Sequence, residues 1–121
     1  DHGDVGILLG SKLKDGDKVV IIEDVTTSGK SIEETFPIIR EQAKVEILGL
    51  MVSLNRCEKG KGDKCALDEI KELYGFETGA IVTMDEVKEY LHNREINGRV
   101  VIDDTIYAAI EDYFKIYGAV K

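Results

Sequence analysis
The sequence predicts an α/β domain, a parallel β-sheet flanked by helices. Two observations carry this. Short apolar runs rich in Val and Ile alternate with segments whose apolar residues recur at helical spacing, the pattern of βαβ units with right-handed crossovers. The 121 residues also suit one core, with no repeat, linker or low-complexity stretch to divide them. A chain of that length buries roughly two-thirds of its unfolded surface.

Taken in order, Val5, Ile7 and Leu9 alternate with Gly6 and Leu8, making Asp4–Gly10 a candidate first strand. The turn Asp15-Gly16-Asp17 feeds Val19–Ile22, a continuous apolar run expected to be a strand buried on both faces. "SIEETFPIIREQ" (31–42) is a helix with Ile32, Phe36 and Ile39 on one face. Glu33 and Glu34 sit in its first turn, where acids suit the helix dipole, and Pro37 is expected to kink it. Val45–Leu54 is a second buried strand, and Asn55–Lys64 a polar loop. "CALDEIKELYG" (65–75) is a helix with Leu67, Ile70 and Leu73 inward, stopped by Gly75. Thr78–Met84 is a third strand, and Met84–Asn93 a helix with Asp85 near its start. After a turn at Asn97-Gly98, Arg99–Ile102 is a candidate short strand and Asp103–Gly118 an amphipathic helix.

The charge balance narrows the function classes. Twenty-four Asp and Glu against sixteen Lys and Arg leave a formal charge of −8. That argues against nucleic acid, whose binders cluster Lys and Arg, and against an anionic membrane surface. No apolar run approaches the ~20 residues that span a bilayer, and the start carries no secretion pattern. Cys57 and Cys65 have no His nearby and do not make a zinc signature; they read as two reduced thiols of a cytosolic protein.

The chemistry concentrates in "VVIIEDVTTSGKS" (19–31). Gly29-Lys30-Ser31 suggests the phosphate loop of ATPases, but that loop needs a glycine five residues before Gly29, and Asp24 stands there. A carboxylate would repel the phosphates that such a glycine admits. The residues make different sense together. Glu23 and Asp24 end a strand at the carboxyl edge of a parallel sheet, where ligands of open α/β sheets bind. The small, hydroxyl-rich turn Thr26–Ser31 leads into a helix N-terminus, whose free N–H groups cradle one phosphate. Acceptors for hydroxyls beside donors for a phosphate describe a sugar-phosphate site. The plain alternative is an ordinary strand-turn-helix with a Thr or Ser cap.

This stretch resembles the phosphoribosyl diphosphate (PRPP) signature of the type I phosphoribosyltransferases, and the resemblance extends over essentially the whole chain. "DHG" at the start and "SLNR" (53–56) after the signature are similar to the orotate phosphoribosyltransferase family in particular. "DHGDVGILLGSKL" resembles that family's catalytic flexible loop and following strand. The resemblance implies a Rossmann-like three-layer fold with an incomplete core, in one partial phosphoribosyltransferase domain spanning 1–121. It implies the reaction of orotate with PRPP to give orotidine 5′-monophosphate and pyrophosphate, a step of pyrimidine (UMP) biosynthesis. Mg2+ is the implied cofactor, held mainly by the substrate rather than by direct protein ligands.

Residue by residue, the resemblance puts Glu23 and Asp24 on the ribose hydroxyls and makes Asp24 and His2 the catalytic candidates. It assigns Val25, Thr26, Thr27, Ser28, Gly29, Lys30 and Ser31 to the 5′-phosphate and Thr27 and Arg56 to orotate. Asp1 and His2 fall in the loop that closes over pyrophosphate. A cytoplasmic homodimer, with the loop reaching the neighbour's site, is also implied. The chemistry suits these assignments: carboxylates favour a ribosyl-cation-like state, cationic groups neutralise the departing pyrophosphate, and Arg56 offers a planar fork to the orotate carboxylate. A closing lid keeps water from PRPP.

Family members carry a further N-terminal part, with a loop lysine just before the position of Asp1. The expectation is therefore a C-terminal portion in which residues 1–10 are a remnant of the flexible loop and following strand, with little turnover alone. Asn55 stands where Asp is common. "VVIDDTIYAAIEDY" repeats an apolar run and acid pair without a glycine turn, so Asp103 or Asp104 reads as a helix cap. His92 reads as a solvated or capping residue at a helix end. Tyr107, Tyr113, Phe114 and Tyr117 read as core or dimer packing, and Lys59, Lys61 and Lys64 as a solvated loop. Two rivals share the signature: a purine salvage phosphoribosyltransferase, which should lack "DHG" and "SLNR", and a non-catalytic PRPP-binding regulatory module, which should carry a basic DNA-binding segment.

Overall fold
A computed structural model describes residues 9–26 and 30–119. β1 (Lys18–Thr26), β2 (Glu46–Asn55) and β3 (Glu77–Thr83) form a parallel sheet in that order, with α1 (Lys30–Gln42) and α2 (Ala66–Tyr74) as the crossovers. The expected α/β class with a parallel sheet is borne out. Then come α3 (Met84–Leu91), the antiparallel pair β4 (Glu95–Ile96) and β5 (Arg99–Val100), and α4 (Asp104–Tyr117). Of the candidate strand 4–10, residues 4–8 lie outside the described residues, and Leu9 and Gly10 are irregular.

The Asp15-Gly16-Asp17 turn levels the starts of two strands. Asp15 Oδ1 accepts from the Lys44 amide at 2.8 Å, and the Gly16 amide donates back to the Lys44 carbonyl at 2.9 Å. Two successive crossovers of one hand put both helices on one face of the sheet. There Ile32 and Ile39 of α1 and Leu67 and Ile70 of α2 bury against Ile21, Ile47, Leu50 and Val52. Each such burial stabilises by roughly 1.5–3 kcal/mol. The register shifts between Val19 and Val20, and this irregularity lets Ile47 and Leu50 both reach the core despite opposite parity.

Three expectations are corrected here. β1 and β2 are not buried on both faces: Val20, Ile22 and Leu48 are exposed on the face opposite the helices, Ile22 by 76%. Both crossovers lie on one side, so among the described residues nothing covers the other. Leu73 is not inward but 73% exposed. Tyr74, seven residues after Leu67, completes two helical turns and takes the inward place, 4.8 Å from the Phe36 ring and stacked on Phe76 at 5.7 Å. And the aromatic residues of α4 are not core, since no α4 residue is buried.

The ends of the elements follow local chemistry. Gly75 adopts φ 81° and stops α2, its amide donating to the Lys71 carbonyl. Thr83 and Glu86 form a reciprocal capping box at the start of α3. Asn97 and Gly98, both with positive φ, turn β4 into β5. Asp103 caps α4 by accepting from the Ile106 amide at 2.9 Å, as its position predicts.

A polar cluster ties α4 to α3. Lys88 is the buried polar residue of the described set, 3.1 Å from Glu111 and 5.2 Å from the centre of the Tyr107 ring. Burial works to lower the Lys88 pKa, but the hydrogen bond and charge of Glu111 outweigh it and the net shift is upward. Tyr107 donates to Glu89 at 2.6 Å, which pushes its pKa up to about 12. His92 caps α3, lies 2.8 Å from Asp104 and stacks on Tyr107 at 4.0 Å. The capping reading of His92 is the one observed.

Candidate functional site at the carboxyl edge of the sheet
The register Val25↔Leu54 and Thr26↔Asn55, with Asn55↔Thr83, lines up the ends of all three strands. The acid pair, Arg56 and the start of α3 therefore share one edge. β1 continues through Glu23 and Asp24 to Thr26 rather than ending at the acids. Strand alternation sends the two carboxylates to opposite faces. Glu23 turns towards α1, where its Oε2 accepts from the Ser31 hydroxyl. Its other oxygen, Oε1, is buried and without a partner among the described residues. Asp24 is exposed, and its Oδ1 accepts from the Val25 amide at 2.7 Å.

A buried acceptor without a donor is uncommon and calls for one. Lys30 and Ser31 open the 13-residue α1, whose first amide groups have no acceptor within the helix. Of the turn expected to bind phosphate, Val25, Lys30, Ser31 and the backbone of Thr26 are placed at this edge; Thr27, Ser28 and Gly29 lie outside the described residues, as do Asp1 and His2. Among the described residues no group of three or more His, Cys, Asp or Glu could hold a metal ion.

Arg56 leaves the carboxyl end of β2 in a loop that other elements hold. Asn55 Oδ1 accepts from the Cys57 amide at 2.9 Å, and Cys57 takes a φ of 59°. The Lys59 amide donates to the Tyr117 carbonyl and the Ala119 amide to the Cys57 carbonyl, both at 2.8 Å, so the end of α4 pairs with the loop. Further on, the Lys61 and Gly62 amides both donate to the Glu69 carboxylate at 2.7 Å. Lys61 and Lys64 are exposed, as a solvated loop predicts, yet each has a partner: Glu33 of α1 and Glu72 of α2. Cys57 and Cys65 form no disulfide, and both sulfurs contact Asn55.

The Arg56 guanidinium meets two residues that sequence reasoning does not assign to the site. Its Nε lies 2.5 Å from Glu58 Oε2, a charge contact not aligned as a hydrogen bond, and its Nη2 donates to the Tyr113 hydroxyl at 3.3 Å. Tyr113 donates in turn to Glu58 Oε1 at 2.9 Å. That bond, with partial burial, raises the Tyr113 pKa. Beside Arg56 runs an apolar groove of about 270 Å3, lined by Met84, Ile106, Ile110, Tyr113 and Phe114 among others. No sequence signal links Arg56 to Tyr113, 57 positions away.

Comparison with known proteins bears on this edge. Over 120 residues the chain is 71% identical to the orotate phosphoribosyltransferase of Agathobacter rectalis, and over 119 residues 65% identical to that of Clostridium botulinum, covering 98% of this chain in each case. It spans about half the length of these relatives, 53%. No family model matches. The crystal structure of Francisella tularensis orotate phosphoribosyltransferase superposes with a TM-score of 0.65 at 25% identity, over 84% of this chain and 47% of that one. Leishmania donovani UMP synthase shares the fold, with a TM-score of 0.68 at 23% identity over 88% of this chain and 21% of that one. The resemblance read from "DHG", "EDVTTSGKS" and "SLNR" is borne out, and neither the purine salvage nor the regulatory reading is favoured.

Proposed function
We propose that these residues supply the ribose, phosphate and orotate contacts of an orotate phosphoribosyltransferase, which joins orotate to PRPP and releases orotidine 5′-monophosphate and pyrophosphate. The observation that carries the proposal is the buried Oε1 of Glu23, without a partner among the described residues, at the sheet's carboxyl edge, one residue from an exposed Asp24 and just ahead of a helix N-terminus. It gains weight from 65–71% identity to proteins of that name.

In this reading Glu23 and Asp24 accept from the ribose hydroxyls, and their charge favours the cationic ribosyl centre that forms as the bond to pyrophosphate breaks. The turn from Val25 to Ser31 donates to the 5′-phosphate. Thr27 and Arg56 bind orotate, Arg56 through its carboxylate. Asp1 and His2 belong to the loop that covers pyrophosphate, His2 and Asp24 being the catalytic residues. Mg2+ would be carried mainly by substrate, with the Glu23 and Asp24 carboxylates at the same edge. Bound Mg2+ supplies positive charge to the departing pyrophosphate. The working protein is a cytoplasmic homodimer. No helix among the described residues is long and apolar enough to cross a membrane.

Titration of the 121-residue chain followed by NMR tests this. PRPP with Mg2+ should shift amides from Glu23 to Ser31, orotidine 5′-monophosphate should also shift Arg56, and Glu23→Gln should weaken both. Equal responses to inosine 5′-monophosphate, or shifts confined to other surfaces, would overturn the assignment.

A further inference from the structure
We infer that Glu58 and Tyr113 are positioning residues for Arg56, and that the end of α4 thereby sets how tightly the site takes a carboxylate-bearing base. The inference rests on the proposed function for its ligand and on the observed contacts for its geometry.

An arginine at a loop start has many rotamers, and each must be given up when a ligand fixes the guanidinium. Here two of its three nitrogens already face protein: Nε towards Glu58, Nη2 towards the Tyr113 hydroxyl. Nη1 has no partner among the described residues, so an outward edge of the fork is left for a ligand. Tyr113 and Glu58 are bonded to each other as well, closing a three-membered ring of contacts rather than a single pair. The side chain of Glu58 is only 13% exposed while that of Arg56 is 40% exposed. The pair is therefore anchored at the acid and open at the base.

The anchor is itself fixed by backbone. Residues 57–59 pair with Tyr117 and Ala119, and Glu58 bridges Gly118, so the last turn of α4 cannot shift without moving the Arg56 loop. That ties a helix remote in sequence to the orotate side of the site and leaves the ribose side, held by β1 and α1, outside its reach.

Two conservative variants test it, Tyr113→Phe, which removes one oxygen, and Glu58→Gln, which removes one charge. The first reading is the rotational exchange of the two Arg56 Nη groups in the 121-residue chain, which the hydrogen bond from Nη2 to Tyr113 and the Glu58 charge restrain. It should be slow in the unsubstituted chain and rapid in Tyr113→Phe; rapid exchange in the unsubstituted chain overturns the proposal whether or not any reaction is catalysed. The second uses a chimera in which this chain replaces the matching segment of the Clostridium botulinum relative. Each variant should raise KM for orotate by roughly threefold to tenfold, the range for losing one hydrogen bond. KM for PRPP should stay within about twofold, since the ribose side does not touch this ring of contacts. Parallel rises in both constants with a lowered melting temperature would reduce Glu58 and Tyr113 to general structure, and unmoved constants would remove them from the site. An unsubstituted chimera that is folded but inert would count against the proposed function, and the exchange measurement would still decide the geometry.

Discussion
The two connections at the carboxyl edge are built by different means. Around the β1–α1 turn the contacts are local: Glu23 reaches Ser31 eight residues on, and Asp24 meets its neighbour Val25. After β2 the chain relies on two helices, with Tyr113 and Tyr117 of α4 reaching Arg56 and Lys59 from far along the sequence and Glu69 of α2 holding Lys61 and Gly62. A local connection keeps its geometry while its own strand and helix stand. A connection assembled from three elements inherits the stability of each, and can be tuned or lost without harm to the other.

Changes beneath both connections should erase the difference. Leu50 is 2% exposed in the centre of the sheet. Leu50→Ala should cost roughly 2–5 kcal/mol in denaturant unfolding and weaken PRPP and orotidylate binding together. A loss confined to one ligand would break the comparison. Next in size is Asp24→Asn in the chimera, which should lower kcat by on the order of a hundredfold while leaving the rotational exchange of the Arg56 Nη groups unmoved. Gly60→Ala should act on the other side alone. An added Cβ would lie 1.9 Å from Glu69 Oε1 and push that carboxylate off the two amides it accepts from. The expected cost is about 1–2 kcal/mol, with faster amide exchange at Lys61 and Gly62 and none at Glu23 or Val25.

The smallest effect is one of pH. Hydrogen bonds from Asn93, then His92, hold the Asp104 carboxyl below its ordinary value of 3.8. A depressed folded-state pKa adds stability above the unfolded value, and that stability is lost as pH falls through the folded value. Acid should therefore loosen α4 from α3 below about pH 4, disturbing the Arg56 side before the Glu23 side. Melting curves at pH 6 and pH 3 should show a drop that is smaller in Asp104→Asn than in the unsubstituted chain.

The same contrast separates what the sequence displays from what only the fold brings together. The acid pair, the hydroxyl-rich turn and the helix start sit within thirteen consecutive residues, so "VVIIEDVTTSGKS" displays the proposed sugar-phosphate site almost whole. Strand and helix order followed from periodicity, and Gly75, Asp103 and Asn97-Gly98 marked their ends. Burial was harder. Whether Val20 and Ile22 lie inside depends on which face the crossovers cover, and whether Leu73 or Tyr74 points inward depends on a one-residue phase. The Arg56 clamp was not legible, because nothing in a linear sequence ties Glu58 to Tyr113.

Above the other proposals stands phosphoribosyl transfer to orotate at this carboxyl edge. Its most direct test is formation of orotidine 5′-monophosphate by the folded chimera supplied with orotate, PRPP and Mg2+. Product is expected from the unsubstituted chimera, with loss of most of the rate in Asp24→Asn. A soluble, folded chimera that makes no product, or an Asp24→Asn form as fast as its parent, would contradict it.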